Sequence, residues 1–282
     1  MILQRLKRCD FSVKVPFQDY NNLTYHGVNS IGRNFHLVGK NGLRLGCWHI
    51  LPDELSLNYK DTVINSNEME HMMETFNYSI IVYLHGNSFD RSQSVRCKLY
   101  NVLSALGFHV LAIDYQGYGD SSGYPSEDGL IENAKEIYRY ARSHCGSNNI
   151  YIWGHSLGTA ESGSPPLGLI LESPFNNLRD VVANHPFATF FRCLPWFERT
   201  VLDSLNRSGL NMSTDVRITK VDCPILILHA EDDHVIPVRL GRKLRDSALA
   251  SHRDVIYEEF SASRHFSHKF IYLAEELPEI VT

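Results

Sequence analysis

The sequence lacks the patterns that identify several common classes of binding protein. Its net charge of -5 leaves no basic surplus, which argues against a nucleic-acid partner. Its six cysteines contain no C-x-x-C pair and no zinc-ligand spacing, so neither a metal site nor a cofactor is predicted. The glycine-rich stretch that begins at Asp114 matches neither phosphate-loop pattern. We interpret that stretch as a tight structural loop.

Long hydrophobic runs are also missing. No stretch approaches the ~20 apolar residues that a membrane span requires, and the N-terminal MILQRLKRC lacks the apolar core of a signal peptide. These absences predict a chain that is soluble or only peripherally attached to a membrane. The composition itself is globular, with 43% hydrophobic and 21% charged residues over 282 positions. That length suits one large domain around a single core.

Short apolar runs alternate with amphipathic segments from residue 31 onward. An Asn-Gly pair between the first two runs predicts an N-terminal β-hairpin. Apolar strands separated by helices predict an α/β fold with a mostly parallel sheet flanked by helices. The predicted strands are Ile31–Val38, Leu43–Ile50, Ile80–Leu84, Phe108–Ile113, Ile150–Trp153, Leu167–Leu171, Ile225–Leu228 and Val255–Phe260. The predicted helices are 93–106, 127–143, 238–249 and a C-terminal helix from about Lys269.

The domain organisation follows from where this alternation starts and lapses. Residues 1–30 are predicted to be an N-terminal extension of a single domain that covers 31–282. Residues 51–77 are polar and aperiodic, which predicts an exposed insertion. Between about 178 and 213 aromatic and proline residues accumulate, which predicts a small cap over the sheet. The aromatic residues of this cap would line an acyl-chain pocket, touch a membrane surface or pack inward.

A G-x-S-x-G pattern follows the fifth predicted strand. It reads Gly154-His155-Ser156-Leu157-Gly158. A serine hydroxyl is a poor nucleophile unless a sharp strand-to-helix turn exposes it beside a base, and flanking glycines leave room for that turn. This context predicts that Ser156 is a catalytic nucleophile, against the alternative of a tight turn with an incidental serine.

A second pattern, Leu84-His85-Gly86-Asn87-Ser88, ends the third predicted strand. Acyl transfer places negative charge on the carbonyl oxygen, and preorganised backbone N–H groups must stabilise this charge by donating hydrogen bonds to it. In a fold of this type one donor is the residue after the nucleophile, here Leu157. The second donor comes from the loop after this strand, so Asn87 or Ser88 is predicted. A Gly-Asn pair also forms ordinary turns, which is the alternative.

The remaining members of a catalytic triad would follow the last two strands. Glu231, Asp232 and Asp233 compete for the acid that orients the base, and the pattern alone leaves this choice open. Two histidines compete for the base, and His268, directly before the predicted final helix, is favoured over His265. The chain order serine, acid, histidine is the one that α/β hydrolases use.

Around these motifs the chain resembles the lysophosphatidylserine and monoacylglycerol lipases of the abhydrolase-domain-containing-twelve type. The resemblance runs from about Tyr83 to Ile280 and includes LHGN, YIWGHSLGT, LILESPF, LILHAEDD and HKFIY. It implies that Ser156 is the nucleophile, Asp233 the acid and His268 the base. It also implies lipid substrates, namely lysophospholipids including lysophosphatidylserine, monoacylglycerols and, for some relatives, palmitoyl thioesters. The family is anchored in the endoplasmic reticulum with its catalytic domain in the lumen, which implies that compartment and a membrane surface as partner.

One segment departs from the family pattern. Residues 157–166 read LGTAESGSPP, where the family has a longer helical segment. A parallel crossover needs a dozen or more residues, and Ser-Gly-Ser-Pro-Pro cannot extend a helix. The rival hypothesis is therefore a catalytically impaired hydrolase-fold protein that binds a lipid or another partner.

Overall fold

The computed structural model describes residues 18–156, 166–184 and 212–282. Within them the strands are β1 (Gly32–Val38), β2 (Arg44–Ile50), β3 (Ile80–Leu84), β4 (His109–Ile113), β5 (Ile150–His155), β6 (Gly168–Glu172), β7 (Ile225–Ala230) and β8 (Val255–Phe260). They form one sheet in the order β1-β2-β4-β3-β5-β6-β7-β8. β1 and β2 pair as an antiparallel hairpin and β2 is antiparallel to β4, whereas the other strand pairs are parallel. The predicted mostly parallel α/β sheet with an N-terminal hairpin is confirmed.

Helices cover both faces of this sheet because its strands are apolar on both sides. The helices are α1 (Asp53–Asn58), α2 (Ser66–Thr75), α3 (Ser94–Ala105), α4 (Glu127–His144), α5 (Leu178–Asn184), α6 (Thr214–Ile218), α7 (Val238–Ala250) and α8 (Leu277–Val281). Alternate residues of β3 enter different cores. Ile80 and Val82 pack in the core with α4 and α7, whereas Ile81 and Tyr83 pack in the core with α3.

The prediction that residues 51–77 are an aperiodic insertion is wrong, although many residues of this segment are exposed as predicted. α1 and α2 occupy this segment, and α2 begins with a capping box between Asn65 and Glu68. Met69, Met72 and Met73 recur at helical spacing and bury one face of α2, with Met69 and Met72 in a small core and Met73 in the core that contains α4. Because the other face of α2 is polar, the helical spacing of these methionines was not recognised in the sequence.

The C-terminal helix begins later than predicted. The chain forms a turn at 267–269 and one 3-10 turn at Ile271–Leu273, and its backbone is extended at Ala274. α8 starts only at Leu277. Burial of Ile271 and Leu277 in the core beside α3 favours this irregular path over one continuous helix.

Several predictions concern residues outside the described ranges. These are residues 1–17 of the N-terminal extension, residues 185–211 of the predicted cap, and the segment that starts at Leu157. Of the six cysteines, the four in the described ranges are buried free thiols, namely Cys47, Cys97, Cys145 and Cys223. No helix within 18–156, 166–184 or 212–282 has the length and apolar character needed to cross a membrane.

Candidate active site

Ser156 occupies a sharp turn at the carboxyl end of β5. Its φ angle is 59°, in the left-handed region that serine rarely adopts, and its N–H donates to the carbonyl oxygen of Glu172 at 2.9 Å. The neighbouring chain comes very close, because a Cβ on Gly86 would lie 2.5 Å from Nδ1 of His155. Only glycine at position 86 permits this contact. Ser156 therefore has the strained backbone that a nucleophile elbow requires.

Asp233 and His268 meet at the carboxyl ends of the last two strands. Oδ2 of Asp233 lies 2.7 Å from Nδ1 of His268. The other oxygen, Oδ1, accepts the backbone N–H groups of Val235 and Ile236 at 2.9 and 2.8 Å. Burial acts to raise the pKa of Asp233, but hydrogen bonds from His229, His268 and Ile236 outweigh it and lower this pKa well below its ordinary value. Asp233 is therefore ionised throughout the pH range in which histidine side chains ordinarily titrate.

The competing acids and the competing histidine lie elsewhere. Glu231 accepts the backbone N–H of Ala262 and Asp232 accepts that of Ser267, each at 2.9 Å. His265 is exposed and has a left-handed φ of 56°. The two acids thus hold the backbone of the loop that carries His268, and Asp233 alone of the three acids contacts the imidazole of His268 in the described residues.

His155 joins the nucleophile strand to the loop of His268. Its Nε2–H donates to the backbone oxygen of His268 at 3.0 Å, and the two rings lie 4.8 Å apart between centroids. Burial, together with the nearby His268, lowers the pKa of His155 well below its ordinary value. His155 is therefore a neutral donor. No role for His155 was predicted from the sequence, although it directly precedes Ser156.

The loop after β3 contains the predicted oxyanion donors. Ser88 and Phe89 both have positive φ angles, 75° and 57°. The side-chain oxygen of Asn87 accepts the hydroxyl of Tyr118 at 2.8 Å, so this side chain is held by another loop. The third predicted donor, Leu157, lies outside the described residues.

Comparison of this sequence with known proteins finds relatives along nearly its whole length. The chain is 38% identical to the lysophosphatidylserine lipase ABHD12 of Danio rerio over 96% of its length and 74% of that protein. The Mus musculus protein of the same name is 39% identical over 95% of this chain and 70% of its own length. The chain belongs to the ABHD12 family. A family profile described as alpha/beta hydrolase fold also matches residues 80–162.

Solved structures that resemble this ABHD12 family member have the same fold at low sequence identity. An alpha-beta hydrolase from Vibrio vulnificus superposes with a TM-score of 0.67 at 17% identity, covering 99% of this chain and 91% of that one. The Pyrococcus furiosus esterase Pf2001 superposes with a TM-score of 0.64 at 16% identity, over 95% of this chain and 91% of that one. At such identities these likenesses establish the fold alone.

A second buried carboxyl group lies beside the candidate triad of this ABHD12 family member. Glu172 ends β6, and its Oε2 accepts the indole N–H of Trp153 at 2.9 Å. Its side chain lines a small cavity together with His155, His268 and Arg96. Burial raises the pKa of Glu172 to about 7, assisted by the nearby Asp233 and opposed by the hydrogen bond from Trp153. Glu172 therefore titrates in the physiological range.

Replacing Glu172 with glutamine is expected to change how stability depends on pH. Because the pKa of Glu172 rises from 4.5 to about 7 on folding, the folded wild type binds the extra proton between these values and loses stability as the pH rises through them. Glutamine does not titrate and keeps an oxygen for Trp153. Between pH 4.5 and pH 8 the wild type should therefore lose on the order of 3 kcal/mol of unfolding free energy that Glu172→Gln does not lose. The variant thus becomes more stable relative to the wild type as the pH rises.

Urea unfolding at the two pH values measures this difference. Glu74→Gln, which makes the same change at an exposed position of α2, is the matched control and should show no comparable growth. An equal stability difference at both pH values for Glu172→Gln would contradict the raised pKa.

Proposed function

We propose that this chain is a serine hydrolase that cleaves acyl esters of lipids, with Ser156 as nucleophile, His268 as base and Asp233 as orienting acid. The observation that carries the proposal is the 2.7 Å contact between Asp233 and His268, whose backbone oxygen accepts a hydrogen bond from His155, the residue directly before Ser156. The order of the three residues along the chain and the membership in the ABHD12 family support the same assignment.

The proposed reaction begins with a proton transfer. Because Asp233 is ionised, its carboxylate holds the proton of His268 on Nδ1 and leaves Nε2 basic. Nε2 takes the hydroxyl proton of Ser156 as Oγ attacks the ester carbonyl carbon, and backbone N–H groups at Leu157 and at Asn87 or Ser88 stabilise the oxyanion. The imidazolium then protonates the leaving alcohol. Water, deprotonated by the same nitrogen, hydrolyses the acyl-enzyme and restores Ser156.

The substrate class comes from the relatives. The matched relatives from Danio rerio and Mus musculus are named lysophosphatidylserine lipases, and we propose the same class of substrate here. Monoacylglycerols and palmitoyl thioesters are further proposed substrates, because they present the same acyl carbonyl on a long chain. The family resemblance also supports action at a membrane surface in the endoplasmic reticulum.

A hydrolysis assay with the purified chain tests the proposal. Lysophosphatidylserine, another lysophospholipid and a monoacylglycerol are supplied separately, and release of fatty acid is followed over time. We expect turnover of lysophosphatidylserine with a kcat in the range usual for enzymes, about 1–10³ per second. A fluorophosphonate, which reacts covalently with activated serines, is applied to the same protein.

The short segment 157–166 favours one rival, a hydrolase-fold protein without catalysis. The assay separates the two because folded protein that neither releases fatty acid nor reacts with the fluorophosphonate supports the rival. Reaction with the fluorophosphonate without lipid hydrolysis would retain the serine hydrolase but refute the lipid substrates.

A further inference from the structure

A buried arginine lies behind the candidate oxyanion loop, which we define as residues 86–91. Arg96 belongs to the first turn of α3, the helix that follows this loop, and only 5% of its surface is exposed. Buried arginines are rare unless their donors are satisfied. The partners of Arg96 are unusual, because its guanidinium donates to three backbone carbonyl oxygens of the same loop.

The three carbonyls belong to alternate residues. Nη2 of Arg96 donates to the oxygen of Gly86 at 3.1 Å and to the oxygen of Ser88 at 2.8 Å. Nη1 donates to the oxygen of Asp90. The oxygen of Gly86 also accepts Nδ1–H of His85 at 2.8 Å. Arg96 therefore contacts three peptide planes of the oxyanion loop and shares the first of them with His85.

The orientation of each carbonyl determines that of the next amide. In a planar trans peptide the C=O and the following N–H point in opposite directions. Because Arg96 holds the carbonyls of Gly86 and Ser88, the N–H groups of Asn87 and Phe89 must point away from it. Neither N–H donates a hydrogen bond to any group in the described residues. As far as residues 18–156, 166–184 and 212–282 are concerned, both amides are available to bind an oxygen atom supplied by a ligand.

The start of this loop also contacts the nucleophile strand. Gly86 packs against Nδ1 and the backbone oxygen of His155, the residue directly before Ser156. Asn87 and His155 also line the same small cavity as His268. The peptide that links Gly86 to Asn87 therefore lies against the residue that precedes Ser156, which favours the N–H of Asn87 over that of Ser88.

The backbone of the loop is strained, so it needs such support. Ser88 and Phe89 are consecutive non-glycine residues in left-handed conformation, which costs about 1–2 kcal/mol for each residue. Strain of this kind persists only where the surroundings impose it. The carbonyl contacts of Arg96 provide that constraint on one side, and the bond from Arg91 N–H to Oδ1 of Asp114 at 2.6 Å fixes the end of the loop.

We propose that Arg96 is a positioning residue that turns the amide of Asn87 toward the oxyanion through its bonds to the carbonyls of the loop. The proposal rests on the serine hydrolase function proposed above and specifies its oxyanion hole. Arg96 lines the same small cavity as His268, but its guanidinium is engaged by the loop carbonyls, so its proposed role is to hold the loop and not to bind the ester. Its effect should therefore appear in the transition state, where the oxyanion forms, and little in the binding of the ester.

The test compares Arg96→Met, Arg96→Lys and the wild-type chain. Methionine removes all the donors, whereas lysine keeps a positive charge and three N–H groups at one point. Because loss of one oxyanion donor costs about 10²–10³ in kcat, we expect Arg96→Met to lower kcat by roughly 10² while KM changes by less than about threefold. Arg96→Lys should recover part of this loss. The control is Lys98→Met, which removes a positive charge from an exposed site of the same helix.

A second measurement separates positioning from general damage. An alkyl trifluoromethyl ketone forms a covalent adduct when Oγ of Ser156 adds to its carbonyl carbon, and the former carbonyl oxygen becomes an oxyanion. Its affinity should fall in proportion to kcat across the Arg96 variants. A variant that loses kcat but binds the ketone as tightly as wild type, or that raises KM alone, overturns the proposal.

Hydrogen–deuterium exchange distinguishes failure of this inference from failure of the proposed function. If wild type neither hydrolyses esters nor binds the ketone, the hydrolase function fails and exchange over residues 86–91 decides the role of Arg96. Faster exchange there in Arg96→Met, but not in Lys98→Met, supports the positioning role. Unchanged exchange, or wild-type kcat in an active Arg96→Met protein, overturns it.

Discussion

Replacing Ser156 with alanine is expected to lower kcat for lipid ester hydrolysis by on the order of 10⁶. The alanine keeps the backbone but has no oxygen to attack the carbonyl carbon, so no acyl-enzyme forms. KM should stay close to wild type, because the substrate loses one hydroxyl contact and retains the rest of its site. Labelling by a fluorophosphonate, read on a gel, should disappear completely.

The matched control for this substitution is Ser143→Ala, which removes an exposed serine hydroxyl from α4. It should label and turn over like wild type. The backbone strain at position 156 is the same for alanine as for serine, so the melting temperature of Ser156→Ala should be nearly unchanged. Labelling that survives in Ser156→Ala would assign the nucleophile to another residue and refute the triad.

The central sheet could be predicted from the sequence because its strands are short, apolar and separated by amphipathic segments. A run such as Ile80–Leu84 is buried on both faces of the sheet, so its composition alone indicates a strand between two helical layers. The same pattern placed the candidate serine, acid and histidine in segments that follow apolar strands. It left the acid open among Glu231, Asp232 and Asp233, and the family resemblance assigned it to Asp233. The choice between His265 and His268 rested on their positions, whereas the structure decides which imidazole meets Asp233.

Contacts between distant segments could not be predicted in this way. Arg96 donates to carbonyl oxygens, and carbonyls have no signature in a sequence. A clue was nevertheless present, because Arg96 shares a helical stripe with the buried residues Leu99, Tyr100 and Leu103. A charge on a buried helical face needs partners. Glu172 gave a similar clue, as an acid that ends an otherwise apolar strand.

Replacing Asp233 with asparagine is expected to lower kcat by about 10⁴, the second largest loss. The two oxygens of Asp233 have different partners, and this asymmetry determines the result. Oδ1 accepts two backbone N–H groups, so the amide oxygen of asparagine should take that place. The NH₂ group then faces Nδ1 of His268, which must accept a hydrogen bond and move its proton to Nε2. In that tautomer Nε2 cannot take the proton of Ser156.

Asp232→Asn makes the same chemical change one residue earlier and is the matched control. Asp232 accepts one backbone N–H, that of Ser267, and an amide oxygen can do the same. Its kcat should therefore stay within about tenfold of wild type, because its loop keeps the bond and His268 keeps Asp233. Steady-state kinetics of both variants at pH 8 measure these two losses in kcat. A larger loss in Asp232→Asn than in Asp233→Asn would mean that Asp233 does not orient His268 during catalysis, and the 2.7 Å contact would then be structural only.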